Sequence, residues 1–158
     1  MLERAFVENA ALHIHVQTDA IVFPQCVGGR EAIAETLVRR FNQNYENIYT
    51  FCLAAPPRAA DRTFACGWLV AMSEKQGGAV RVGTGRYEWS FASEGSLAES
   101  LEITIFAMEI LPAEQLDKVM SWVAALPYPW CPLDRAAHEA PEIPGVGRVL
   151  RYLRSSGA

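Results

Sequence analysis

The chain has 158 residues, with 51% apolar and 20% charged side chains and a formal net charge of -4. That composition describes one folded domain rather than a disordered or multidomain chain. The longest apolar stretches, 64–72, 103–111 and 119–126, fall well short of the ~20 residues a bilayer-spanning helix requires, and the acidic balance lacks the basic face that phosphate binding needs. No membrane span and no nucleic-acid partner are therefore expected.

The first fifteen residues carry Glu3, Arg4, Glu8, His13 and His15 without an apolar signal core or a small-residue cleavage site, so no secretion leader is expected. Cys26, Cys52, Cys66 and Cys131 stand singly, with no CxxC spacing. This predicts reduced thiols in a cytoplasmic protein rather than a disulfide frame or a zinc knuckle.

Residues 1–9 leave room for about two helical turns, packing Leu2, Phe6 and Val7. Residues 11–16 (ALHIHV) alternate apolar and polar, Gln17-Thr18-Asp19 supplies turn chemistry, and Ile21-Val22-Phe23 returns to Pro24 as the second half of a short hairpin. Gly28-Gly29 opens the longest helix, in which Ile33, Leu37, Val38, Phe41 and Tyr45 repeat at helical spacing. Asn42, Asn44 and Asn47 mark its exit.

From there the period changes to two. Strands are predicted at 48–53, 63–72, 80–91 and 101–111, separated by Pro56-Pro57, by a Gln76-Gly77-Gly78 hairpin turn and by a loop around Ser93-Glu94-Gly95-Ser96. Pro112 then starts a helix whose stripe, Leu116, Val119, Met120 and Val123, stops at Pro127. Helices followed by a run of strands predict an α+β layer, with a curved, mostly antiparallel sheet wrapped around the long helix. Residues 1–126 form that domain. Residues 127–158, holding prolines 127, 129, 132, 141 and 144, read as an extended strap with a basic amphipathic turn or two at 148–154. Its Tyr128, Trp130, Ile143, Val146, Leu150 and Leu153 require docking on the domain or on a dimer mate.

The stretch 6–41, FVENAALHIHVQTDAIVFPQCVGGREAIAETLVRRF, has a hairpin followed by a Gly29-Arg30-Glu31-Ala32-Ile33 helix start. With the strand meander after it, roughly residues 2–111 resemble the NTF2-like (SnoaL-like, cystatin-like cone) superfamily. The resemblance implies a cone whose sheet and helices enclose a mostly apolar pocket, used in that superfamily by ketosteroid isomerase, scytalone dehydratase, polyketide cyclases and epoxide hydrolases. Members usually begin with a longer first helix than the two turns available here. Registered through Phe6, Ala10 and Leu12, the isomerase general-base position falls on Ile14, which cannot take a proton. Registered through Phe91, the oxyanion-donor acid falls on Tyr87, and the first-helix tyrosine has no counterpart. A donor without a base makes a binding site, not an isomerase.

Read from the residues alone, strand 84–92 sets Tyr87, Trp89 and Phe91 against Arg86, Glu88 and Ser90. Burying the second set would cost several kcal/mol per ion, so the aromatic face is expected to point into the cone. With Ile14 as an apolar floor and Trp68 and Tyr45 facing the same space, Ile14, Tyr45, Trp68, Tyr87, Trp89 and Phe91 are the candidate ligand-binding set for a small apolar or aromatic molecule. Plain core filling by the same rings stands beside that reading.

His13 and His15 share one face of a strand, outside the cone, and lack a third ligand, so no metal is expected, nor any cofactor. Gly83-Thr84-Gly85 precedes a strand, not a helix, and is no phosphate loop. Glu109 reads as a strand-end carboxylate near solvent. The function expected is small-ligand binding, extending to lyase, cyclase or isomerase chemistry, and its alternative is a non-catalytic homodimerisation or partner-binding module. A homodimer pairing outer sheet faces is expected because 101–111 is apolar on both sides, with Leu101, Ile103 and Ile105 opposed by Phe106, Met108 and Ile110.

Overall fold

A computed structural model describes residues 2–93 and 97–156; Met1 and the 94–96 part of the expected Ser93–Ser96 loop lie outside the described residues. The strands are β1 (Phe6–Val16), β2 (Cys26–Gly28), β3 (Tyr45–Cys52), β4 (Thr63–Glu74), β5 (Val80–Phe91) and β6 (Ala98–Leu111). They form one sheet in the order β2-β1-β6-β5-β4-β3. Helix α1 spans 30–44, and α2 (Leu116–Ala125), α3 (Leu133–His138) and α4 (Pro144–Ser155) follow the sheet. The class is α+β, a mixed sheet that is antiparallel throughout except where β1 runs parallel to β6. No helix among the described residues is long and apolar enough to cross a membrane.

The N-terminal third departs from the sequence expectation. Instead of two helical turns, only Leu2–Arg4 coil, and Phe6 already pairs with Ala98. A bulge between Phe6 and Ala11 lets Phe6, Ala10, Leu12 and Ile14 all bury, so tertiary pairing overrides local helix propensity. The partner of β1 in the hairpin is Cys26–Gly28, not Ile21-Val22-Phe23. Ile21 and Phe23 turn toward the cone, Phe23 stacking at 6.4 Å on Phe41, while Val22 is 88% exposed. Helix α1 begins after Gly29, whose φ of +91° only glycine adopts freely. Within it, Glu35–Arg39 form a wider π-helical turn. It ends one residue before Tyr45, which opens β3.

The sheet is apolar on both faces, and each face has its own cover. On the concave side α1 and the 17–25 loop lie over Phe6, Leu12, Ile14, Trp68, Val70 and Met72. On the other side α2, α3 and α4 cover Phe51, Leu53, Leu69, Ala71, Val80 and Val82. The expected strap is therefore largely helical. Ile143 precedes a Pro144 start, and Val146, Val149, Leu150 and Leu153 then repeat at helical spacing and bury. The apolar groups of β6 are likewise divided within the chain, because a register shift at Thr84/Gly85 carries Met108 onto the concave side.

Arg148 of α4 ties the outer layer to β6. It donates from Nε and Nη2 to the two carboxylate oxygens of Glu109, 2.9 Å each. The Arg148 hydrogen bonds hold the Glu109 carboxyl below its usual range. The stabilisation this adds is present above the ordinary carboxylate pKa and disappears as pH falls through the lower folded value. Arg148→Ala is expected to lower the melting temperature slightly at pH 7, with the gap to wild type closing toward pH 3; thermal unfolding across that range measures it. Leu153 is fully buried, so Leu153→Ala should cost about 2–5 kcal/mol in urea unfolding. An unchanged midpoint would show that α4 is not part of the cooperative core.

Candidate functional site

Strand parity sets the wall of the site. Tyr87, Trp89 and Phe91 share the concave face of β5, and the register Phe64↔Trp89, Cys66↔Tyr87 and Trp68↔Gly85 places the β4 side chains beside them. Trp68 stacks on Tyr87 at 5.7 Å, Tyr87 meets Trp89 edge-on at 6.1 Å, and Trp89 stacks on Phe91 at 6.4 Å. Phe6 closes on Trp89 from β1 at 5.7 Å. Ile14 is buried in the same cluster, and Tyr87, Trp89 and Phe91 are half-buried against it. Tyr45 belongs to this cluster too, but its ring contacts are Phe41 at 4.9 Å and the Arg81 guanidinium at 5.5 Å. Arg81 is itself bound to Glu74 and to the Ala20 carbonyl.

Opposite this wall, on the outer face, Arg86 and Glu88 lie 3.9 Å apart with half their side chains in solvent. His15 Nε2 lies 3.6 Å from Glu102 on that face. Among the described residues, no group of three or more His, Cys, Asp and Glu side chains converges as a metal site would require.

Two polar groups of the concave side stand out. Trp68 is 4% exposed, and its indole N–H has no hydrogen-bond partner among the described residues. Trp122 is equally buried, yet it donates to the Ala136 carbonyl at 2.9 Å. A buried donor left unpaired costs about 1–3 kcal/mol, which a bound acceptor atom would recover. Tyr87 is held far above its ordinary ionisation, chiefly by burial and next by the neighbouring Cys52 and Cys66 thiols. It is therefore a neutral hydroxyl donor across the physiological range.

Cys52 and Cys66 were not singled out by sequence. The β3–β4 register places them on the concave face, on the diagonal of the two strands, and the nearness of the thiols lowers the pKa of Cys52 and, with burial, raises that of Cys66. Alternation alone puts each cysteine on a face. Their meeting depends on the β3–β4 register, which the Pro56-Pro57 loop conceals.

Open clefts lie elsewhere. One of about 900 Å³ runs between the N-terminal turn and α1, lined by Leu2, Glu8, Gly29, Glu35, Val38 and Arg39. Another, of about 710 Å³, is floored by Ile14 with His13, Phe23 and Cys26 around it. Neither includes Tyr87, Trp89 or Phe91, which pack on one another instead.

Gly85 makes the Trp68 position possible. A Cβ there would overlap the Thr104 carbonyl and come within 2.5 Å of Trp68 Cζ2. Gly85→Ala is expected to destabilise by about 1–3 kcal/mol, as overpacking does, and to alter the near-ultraviolet circular dichroism of the tryptophans. An unchanged spectrum would mean that Trp68 does not depend on this close approach.

The sequence matches no protein-family model and no curated protein. Among solved structures, an NTF2-like protein of unknown function from Exiguobacterium is similar with a TM-score of 0.51 and 14% identity, over 66% of this chain and 78% of that one. An NTF2-like protein with a cystatin-like fold from Novosphingobium aromaticivorans matches with a TM-score of 0.36 and 17% identity, over 63% and 64%. A computationally designed 17-OHP binder matches with a TM-score of 0.47 and 12% identity, over 65% and 75%. With its curved sheet closed over one long helix, the chain has the NTF2-like cone fold of the Exiguobacterium protein.

Proposed function

We propose that the concave face binds a small apolar or aromatic molecule carrying one hydrogen-bond acceptor, with Trp68 and Tyr87 as donors and Trp89, Phe91, Ile14 and Tyr45 as apolar contacts. The observation that carries this reading is the buried Trp68 N–H without a partner. The same face offers flat rings to stack on and a neutral phenol, which support the reading. Lyase, cyclase or isomerase chemistry would need a proton acceptor beside the bound molecule. Ile14 offers none, and Glu74 is engaged with Arg81, so binding rather than turnover is the function proposed.

The test uses 2-acetylnaphthalene, a two-ring aryl ketone, followed by quenching of tryptophan fluorescence and by its effect on the melting temperature. Wild-type protein is expected to bind it. Tyr87→Phe should weaken binding by about 0.5–1.5 kcal/mol, the net value of one neutral hydrogen bond, and Trp68→Phe should weaken it by at least as much. Binding indifferent to both substitutions would remove the donors from the site and sink the reading.

A second reading, a non-catalytic homodimerisation or partner-binding module, draws on Ile110 and Val22, large apolar side chains left 52% and 88% exposed. Sedimentation at tens of micromolar separates the two, since a strictly monomeric profile counts against it.

A further inference from the structure

The Trp68 indole is buried, so a molecule reaches its N–H only if part of the cover of the concave face moves. Helix α1 is held at both ends: Gly29 N–H donates to the Ala10 carbonyl at 2.8 Å, and Lys75 N–H donates to the Asn44 carbonyl at 3.0 Å. Residues 18–24 are held differently. Gln17 N–H donates to the Ile105 carbonyl and Ile14 N–H to the Gln25 carbonyl, 2.9 Å each, which fixes the two flanks of the segment. Between those flanks Ala20 N–H turns back on Thr18 Oγ1. Among the described residues, one hydrogen bond joins 18–24 to the rest of the protein, from Arg81 Nη1 to the Ala20 carbonyl.

Arg81 reaches the segment from β5, where it lies opposite Met72 on the concave face. Its side chain is 13% exposed, and Nε and Nη2 are both set on Glu74 Oε1, at 2.7 and 2.5 Å, which leaves Nη1 for the Ala20 carbonyl. A charged donor shielded from water makes a stronger bond than a neutral one at the surface. The same guanidinium covers the Tyr45 ring at 5.5 Å, Tyr45 meets Phe41 at 4.9 Å, and Phe23 of the segment stacks on Phe41 at 6.4 Å. Elsewhere the segment stands off β1, because the cleft of about 710 Å³ lies between them, with Ile14 as its floor.

We propose that residues 18–24 are a lid over the concave face and that Arg81, through the Ala20 carbonyl, is the latch that holds it shut. The inference rests on the concave-face binding reading and adds to it the element that admits the ligand. Gln17 and Gln25 are the hinges, since the backbone bonds beside them stay in place while 18–24 swings. Opening withdraws Ile21 and Phe23 from the apolar cluster they pack against and widens the cleft floored by Ile14. Releasing the latch raises the fraction of time the lid is open, so a ligand both enters and leaves faster.

The experiment compares the full-length protein with Arg81→Met, which keeps apolar bulk over Tyr45 and removes the donor. Without ligand, thermolysin should cut within 18–24 at least about tenfold faster in Arg81→Met, the factor expected for one hydrogen bond from a charged donor. A second measurement needs no variant: in wild type, cleavage within 18–24 should depend on urea far less steeply than global unfolding does, because a local opening exposes little surface. Stopped-flow quenching with 2-acetylnaphthalene should then show both association and dissociation accelerated in Arg81→Met. Equal cleavage rates in the two proteins, or wild-type cleavage that follows global unfolding in urea, would overturn the proposal. So would faster dissociation with unchanged association, the signature of a lost ligand contact. Should wild type not bind the ketone, the binding reading fails, while the cleavage rates still decide whether the lid and its latch exist.

Discussion

A single six-stranded sheet that is apolar on both faces imposes the rest of this architecture. Side chains alternate across a strand, so Trp68, Val70 and Met72 point one way while Leu69 and Ala71 point the other, and all five are buried. Neither face could meet water without exposing a large apolar surface. Helix α1 with the 17–25 loop closes the concave side, and the three C-terminal helices close the convex one. The Pro-rich C-terminal segment is in this sense structural: Trp130 bridges the edge strand at Cys52, and Cys131, Ala136, Ile143 and Leu153 fill the outer core.

The division of the sheet also explains where polarity survives. Beyond the reach of the C-terminal helices, the convex face carries His15, Arg86, Glu88 and Glu102, paired loosely or left to solvent. The concave face is more demanding, because what lies there is enclosed by rings. Its polar groups are few, and each is unusual: an indole N–H without a partner among the described residues, a phenol that cannot ionise at ordinary pH, and two neighbouring thiols whose pKa values are driven apart. A core selected only for packing would be cheaper with phenylalanine at 68 and alanine at 52 and 66, since unpaired buried donors destabilise. All of these groups lie on one side of one sheet.

Close approach is the device that assembles that face. Gly85 lets the Trp68 indole lie flat across β5, and Gly83 opposite Val70 leaves room for Met108, displaced inward by the β6 irregularity. The rings are thus set by backbone gaps in the neighbouring strand, not by loops.

Much of this was already determined along the chain. The period-two alternation of residues 63–72, 80–91 and 101–111 identified the long strands, and the cost of burying Arg86 and Glu88 oriented Tyr87, Trp89 and Phe91 inward, as the structure has them. Gly29-Arg30-Glu31-Ala32-Ile33 marked the helix start because only glycine takes the φ required there. Local pattern was silent wherever pairing across the sheet chose between alternatives. Phe6 became strand through its contact with Ala98, the return strand moved to Cys26–Gly28 because the β1 ladder closed there, and the prolines of the C-terminal segment served as helix boundaries. The diagonal placement of Cys52 and Cys66 and the Trp68 N–H left without a partner among the described residues belong to the same class. They are relations between strands, set by register and by which neighbours fail to arrive, and no single stretch of sequence carries them.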